Sequence, residues 1–132
     1  MTFACELPLY HSKVAAGFPS PADDYISKKL DLNEYLIKHP AATFLVRATG
    51  DSMINAGIHH NDILIVDRSL KPTVGKIIIV AIDGQLTVKR LQKNANGKFL
   101  LVPDNPAYKP IEISEGSETC IWGVVTQVIH FV

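Results

Sequence analysis

From Thr43 onward, apolar residues alternate with polar residues or form short runs, which is typical of β-strands. The pattern predicts seven strands, at residues 43–48, 62–67, 76–82, 86–91, 99–102, 111–113 and 121–129. Asp83-Gly84 is a tight hairpin signal, and Asn96-Gly97 marks another turn. Many short strands separated by turns predict a mainly β fold with a small, curled body.

Within residues 1–30, the segment Ala15-Ala16-Gly17-Phe18-Pro19-Ser20-Pro21 shows neither the helical nor the alternating period, and X-Pro pairs favour extended backbone. We therefore predict an extended N-terminal arm at 1–30 and a β domain at 31–132. A short helix should open the domain, with Asp31 as N-cap and Glu34 in a capping box. Pro40 should end this helix.

The composition excludes several classes of function. The 132 residues favour one domain, and the formal net charge of +0 predicts no strong direct binding to nucleic acid. No apolar run reaches the roughly 20 residues of a membrane span, and the N-terminus lacks a signal-peptide pattern. Two cysteines, Cys5 and Cys120, are too few for a disulfide framework and are expected to be inert. We expect a reduced, cytoplasmic setting, no membrane and no cofactor.

Ser52 and Lys89 are the candidate catalytic residues. Ser52 follows a predicted strand in Gly50-Asp51-Ser52-Met53, and Lys89 lies in an apolar-rich strand. Burial should lower the pKa of Lys89, and a neutral amine can take the proton of a serine hydroxyl. Thr87 shares the strand face of Lys89 and can orient its amine. A helical turn after Ser52 would leave backbone N–H groups near Asp51 and Ser52 for an oxyanion.

Each of these residues also has a purely structural interpretation. Ser52 would serve as the N-cap of a short helix, and Lys89 would face water from an edge strand. His59 and His60 are adjacent, so they point apart on regular structure, and we interpret them as surface turn residues without a metal site.

Beyond the Ser52 and Lys89 motifs, the chain carries further motifs in a specific order. The series is Gly50-Asp51-Ser52-Met53, Asp62-Ile63-Leu64-Ile65-Val66-Asp67, Asp83-Gly84, Thr87-Val88-Lys89-Arg90-Leu91, Leu101-Val102-Pro103-Asp104-Asn105, Tyr108-Lys109-Pro110-Ile111, Trp122-Gly123-Val124-Val125 and, in the arm, residues 17–25. This series resembles the self-cleaving Ser-Lys family of LexA repressors and UmuD proteins. The resemblance covers about residues 14–132, and the arm is similar to that of UmuD. No helix-turn-helix domain precedes the motifs, so we do not expect a LexA-type repressor.

The resemblance implies a function in the SOS response. It implies the LexA/UmuD C-terminal fold, with Ser52 and Lys89 cutting the bond between Ala16 and Gly17. A RecA filament on single-stranded DNA would promote this cleavage. The trimmed homodimer would then support a UmuC-type Y-family translesion DNA polymerase. We expect the apolar C-terminal strand, from Ile121 to Val132, to form the dimer edge.

Two other functions stay open at this point. A non-catalytic polymerase-assembly module would have the same fold with a vestigial dyad. A type I signal peptidase also uses a serine and a lysine, but it would need a membrane anchor, for which the sequence has no span.

Overall fold

The computed structural model describes residues 4–19, 21–22, 25–114 and 116–132. The chain forms two compact units, Met1–Pro40 and Ala41–Val132. No helix in the described part of the chain is long and apolar enough to cross a membrane.

The first unit contains a strand pair that the sequence did not predict. Strand β1 (Glu6–Tyr10) pairs antiparallel with β2 (Ile26–Asp31). The backbone of both strands is extended, as predicted for the arm, but their pairing was not predicted. Nearly all side chains of both strands are exposed, so the sequence carries no alternating apolar signal for them. The predicted boundary after residue 30 falls inside β2.

A one-turn helix follows β2 directly. Helix α1 (Leu32–Leu36) has Asp31 as its N-cap, and the carboxylate of Asp31 accepts a hydrogen bond from the Asn33 N–H. The helix ends at Leu36, earlier than predicted, and Pro40 instead begins the 3₁₀ helix Pro40–Ala42.

The second unit is a seven-stranded antiparallel sheet, and all seven predicted strands form. In space the strands follow the order β3-β4-β9-β5-β6-β7-β8. The sheet therefore confirms the mainly β prediction. The strands are β3 (Thr43–Arg47), β4 (Ile63–Asp67), β5 (Ile77–Ile82), β6 (Gln85–Lys93), β7 (Phe99–Val102), β8 (Ile111–Glu112) and β9 (Thr119–Ile129).

The β5–β6 hairpin turns as its sequence predicts. Ile82 pairs with Gln85, so Asp83 and Gly84 form a two-residue loop. Both have positive φ, 49° and 81°, as a type I′ turn requires.

The C-terminal strand β9 lies inside the sheet, between β4 and β5. Its C-terminal half pairs with β4 and its N-terminal half with β5. Among the described residues, each half of β9 is therefore paired mainly along one side, and the role of this strand as a dimer edge stays a prediction. A register shift interrupts each of its two ladders, and such bulges bend a strand and increase its twist.

Strand β5 is buried on both faces, because consecutive residues belong to two different core clusters. Ile79 packs in a cluster with Met53 and Leu64, whereas Ile78 and Val80 pack in a second cluster. Met53 is only 1% exposed, so the residue next to Ser52 is anchored in the core.

Candidate active site

Ser52 lies in the tight turn that follows β3. The 3₁₀ helix Ile54–Ala56 begins after Met53, which occupies its N-cap position, and Gly57 closes it with a φ of 82°. The predicted helical turn is present. Ser52 precedes the cap residue, so the interpretation of Ser52 as an N-cap does not hold.

Lys89 lies on β6, between β5 and β7, and is only 8% exposed. The structural interpretation of Lys89 as an exposed edge lysine therefore does not hold. Its Nζ lies 3.1 Å from Ser52 Oγ, 2.9 Å from Thr87 Oγ1 and 3.0 Å from the Val88 carbonyl oxygen. The structure thus brings Ser52, Thr87 and Lys89 to one point.

Curvature of the sheet makes this meeting possible. In the sheet order, β3 and β6 are separated by β4, β9 and β5. In a flat sheet, four strand spacings would place them about 19 Å apart. A contact of 3.1 Å between Ser52 Oγ and Lys89 Nζ requires the sheet to curl, and the two bulges of β9 lie between the two strands in that order.

Burial lowers the pKa of Lys89 below its ordinary value of 10.5, because the charged ammonium loses hydration. Within the described residues, none of the ion pairs involves Lys89. The environment therefore favours the neutral amine without a compensating negative charge.

The hydrogen-bond partners of Lys89 suit a neutral amine. Such an amine has two N–H donors and one lone pair. Thr87 Oγ1 and the Val88 carbonyl can accept the two N–H groups. The lone pair is then left to accept the Ser52 hydroxyl proton across the 3.1 Å contact.

Three side chains fix the turn that carries Ser52. The Tyr108 hydroxyl donates to Asp51 Oδ1 at 2.6 Å, and the Asn105 side-chain amide donates to the Asp51 carbonyl at 2.9 Å. The hydrogen bond to Asp51, together with its negative charge, raises the pKa of Tyr108. His60 Nδ1 accepts the N–H of Gly50, whose φ is 81°.

The backbone N–H groups beside Ser52 are candidates for binding an oxyanion. In the described part of the chain, the N–H groups of Asp51, Ser52 and Met53 donate to no protein acceptor. Because donors are useful for catalysis only if they are fixed, the three contacts that hold this turn support the predicted role of Asp51.

A charged pair next to Lys89 ties β6 to the same turn. Arg90 donates two parallel hydrogen bonds to the Asp104 carboxylate, at 3.1 and 2.6 Å. The Asp104 carbonyl accepts the Asn55 N–H at 2.9 Å, and its own N–H faces Met53 Sδ at 3.2 Å. Asp104 therefore links the strand of the lysine to the residues that follow Ser52.

The sequence analysis assigned no role to Asp104, Asn105 and Tyr108. These residues lie far from Ser52 along the chain, so no local spacing reveals their contacts. Their only signal was that they lie in the motifs Leu101-Val102-Pro103-Asp104-Asn105 and Tyr108-Lys109-Pro110-Ile111. His60 was interpreted as a surface turn residue, and its contact with the Gly50 N–H was not predicted.

A shallow cleft of about 170 Å³ opens beside Ser52. Its lining is mainly apolar and comes from the end of β3, from the start of β6 and from the strands between them. Such a cleft suits small apolar side chains of a bound peptide. The lining includes Val46, Ala48, Leu64, Ile79, Leu86 and Val88.

The predicted cleavage site lies in the first unit. Ala16 and Gly17 are exposed and occupy a bend in the connection between β1 and β2. Among the described residues other than its two chain neighbours, no atom comes within 4 Å of a Cβ built on Gly17, so the described structure does not itself demand glycine there.

Comparison with known proteins gives the family. Residues 8–126 match the model of the Peptidase S24-like family. The chain is 48% identical over 123 residues to Protein ImpA of Salmonella typhimurium, covering 93% of this chain and 83% of ImpA. It is 50% identical over 123 residues to Protein SamA of the same species, and the match covers 93% of this chain and 84% of SamA. A LexA repressor from Erwinia tasmaniensis is 40% identical over 125 residues, which are 94% of this chain but 60% of the repressor.

The sequence match extends over most of the chain, including the arm from residue 8 onward and every strand of the curled sheet except the last residues of β9. The match to ImpA and SamA covers most of both proteins, whereas LexA has a large part that this chain does not match. The chain therefore belongs to the peptidase S24 family of self-cleaving serine peptidases, in its branch of UmuD-like SOS mutagenesis proteins.

Proposed function

We propose that this protein cuts its own chain between Ala16 and Gly17, with Ser52 as nucleophile and Lys89 as general base. The observation that carries the proposal is the 3.1 Å contact between Lys89 Nζ and Ser52 Oγ, made by a lysine that is 8% exposed. Ser-Lys pairs are a known variant of the serine-histidine arrangement in hydrolases.

The reaction follows from the position of the lone pair on Lys89. Ser52 Oγ attacks the carbonyl carbon of Ala16 while its proton moves to Lys89 Nζ. The oxyanion is stabilised by backbone N–H groups near Asp51 and Ser52. Lys89 then gives the proton to the Gly17 nitrogen, the peptide bond breaks, and an ester to Ser52 remains. A water molecule, activated by the neutral Lys89, hydrolyses this ester.

The substrate is a segment of the same protein, in cis or from a second copy. The exposed bend at Ala16 and Gly17 gives access to the bond. The apolar cleft beside Ser52 suits the small side chain of Ala16. Attachment of substrate and catalyst to one chain raises their effective concentration, so a deep substrate pocket is not required.

The partners follow from the family. A RecA filament on single-stranded DNA promotes the cleavage, and the trimmed homodimer supports a UmuC-type Y-family DNA polymerase in the cytoplasm. The net charge of +0 is consistent with contacts to these proteins rather than with strong direct binding to DNA.

Intact-mass spectrometry with and without RecA filament tests this function. The wild type should yield fragments 1–16 and 17–132, faster with filament. Ser52→Ala and Lys89→Ala should each stay intact while circular dichroism shows a folded β protein. Lys71→Ala, which removes an exposed lysine, is the matched control and should cleave normally.

Two outcomes would contradict the proposal. Cleavage of Ser52→Ala at the same bond would exclude Ser52 as nucleophile. A wild-type chain that stays intact with filament and at alkaline pH would instead support a non-catalytic polymerase-assembly module.

A further inference from the structure

Two histidines and an aspartate meet at the end of the sheet where β4 begins and β9 ends. Ile63 pairs with Ile129, so Asp62 and His130 are the next cross-strand neighbours. His59 reaches the same carboxylate from the preceding turn. One ligand atom from each of these three residues lies within 4.8 Å of the others. The sequence analysis interpreted His59 as a surface turn residue, because it had no register with which to place His130.

The carboxylate of Asp62 is the centre of the group and is held in a fixed orientation. Asp62 is 4% exposed, and its Oδ2 accepts the backbone N–H of His59 at 2.7 Å. Its Oδ1 lies 2.6 Å from His130 Nδ1, and its Oδ2 lies 3.3 Å from His59 Nδ1. A backbone donor that orients a carboxylate in this way is a common support of metal ligands.

The two imidazole rings can adjust to an ion. They stack with their centroids 4.2 Å apart and their planes at 30°. Their side chains are 45% and 42% exposed, so an ion can enter from solvent and the rings can rotate. Tetrahedral zinc with bonds of about 2.1 Å places its ligand atoms about 3.4 Å apart. The present separations of 2.6 and 3.3 Å from the carboxylate oxygens therefore require only small ring movements.

We propose that His59, Asp62 and His130 bind a divalent transition-metal ion, with Zn²⁺ as the preferred one. Two imidazole nitrogens and one carboxylate oxygen are ligands that Zn²⁺ accepts, and three protein ligands leave a position for water. The ion would join the end of β9 to the turn before β4. This site lies outside the Ser52–Lys89 pair and does not depend on the proposed cleavage.

The ion should stabilise the part of the sheet that carries the nucleophile turn. Two backbone hydrogen bonds connect Ala48 to the group. The Ala48 N–H donates to the Asp62 carbonyl, and the Asn61 N–H donates to the Ala48 carbonyl, both at 2.8 Å. Ala48 begins the segment that leads from β3 to Gly50. Because the ion binds only the folded state, it must raise the melting temperature. Once the ion concentration exceeds the dissociation constant, this rise follows the logarithm of their ratio.

Calorimetric titration of Zn²⁺ into the tag-free full chain tests the site. The exposed thiols of Cys5 and Cys120 are replaced with serine in all samples, because they would compete for the ion. One Zn²⁺ ion per chain should bind and raise the melting temperature. His59→Gln and His130→Gln should each weaken binding at least about tenfold. His39→Gln, which removes an exposed histidine outside the group, is the matched control and should bind as the parent does.

Histidine ¹⁵N NMR of the parent chain keeps the test independent of variant folding. Zn²⁺ should shift the ring nitrogens of His59 and His130 and leave those of His11 and His39 in place. Three results would each overturn the site. The parent chain does not bind Zn²⁺, both His59→Gln and His130→Gln bind Zn²⁺ as the parent does, or the Zn²⁺-induced NMR shifts are confined to other histidines.

Discussion

Replacement of Thr87 by valine should change the pH profile of self-cleavage in a specific way. Valine keeps the shape of threonine but removes the hydroxyl that accepts a hydrogen bond from Lys89 Nζ at 2.9 Å. A hydrogen bond to a charged ammonium is about twice as strong as one to a neutral amine. In the variant, charged Lys89 therefore loses about 2 kcal/mol of hydrogen-bond stabilisation, and neutral Lys89 loses about 1 kcal/mol.

These losses act on different states of the reaction. In the wild type, the cleavage rate should rise about tenfold per pH unit until Lys89 is neutral, and it should level off below pH 10.5 because burial lowers the pKa of Lys89. In Thr87→Val the charged form is destabilised more, so the midpoint should move to lower pH by about 0.7 pH unit.

The height of the plateau follows from the same difference. Above the midpoint, Lys89 is neutral in the ground state and gains a proton in the transition state. The barrier of Thr87→Val therefore rises by about 1 kcal/mol, and the plateau rate falls about fivefold. Below the midpoint, Lys89 is charged in both states, so the rates of the variant and the wild type should coincide.

Intact-mass time courses from pH 6.5 to about pH 10.5, without filament, measure both profiles. Thr126→Val removes a hydroxyl of β9 that bonds to the Ile65 carbonyl, away from the dyad, and should leave the midpoint unchanged. A uniform fall in rate at every pH, or a midpoint that moves to higher pH, would refute the assignment of Thr87 as the residue that orients Lys89.

Two further substitutions probe the sheet and the cleavage site. Gly123→Ala should lower the free energy of unfolding by about 1–3 kcal/mol, because its Cβ would lie 2.7 Å from Val66 Cγ1 and 3.0 Å from the Asp67 carbonyl oxygen. Urea unfolding measures this loss. Gly17→Ala should cost nothing comparable, because its Cβ would meet no atom of the described residues within 4 Å beyond its chain neighbours. Gly17→Val should fold normally but cleave far more slowly in intact-mass assays, because a branched Cβ crowds the attack on the preceding carbonyl. Equal rates for Gly17→Val and wild type would show that the bond is cut elsewhere.

The sequence predicted the second unit well because its strands carry a local signal. Each strand has an apolar run or an alternation, and residues such as Asp83 and Gly84 mark the turns. The exact ends differ by one or two residues at most of the strands, since the ends of ladders depend on pairing and not on composition.

The sequence did not predict the features that depend on long-range pairing. It did not show that β9 joins two strands that precede it in the chain, with its C-terminal half paired to β4 and its N-terminal half paired to β5. Strands β1 and β2 have few buried residues and no period, so only their mutual pairing defines them. The sequence also did not place Tyr108 beside Asp51, because their contact depends on the curl of the sheet.

The pairing of β1 with β2 determines what happens after the proposed cut. The bond between Ala16 and Gly17 lies in their connection, so β1 belongs to the released fragment and β2 to the trimmed protein. The cut produces a nicked hairpin, and the fragment then leaves by dissociation. An isolated two-stranded ribbon is marginally stable, and loss of the covalent connection removes the high effective concentration of β1. Dilution thus drives the departure of the fragment, which uncovers in the trimmed protein the edge of β2 that β1 had covered.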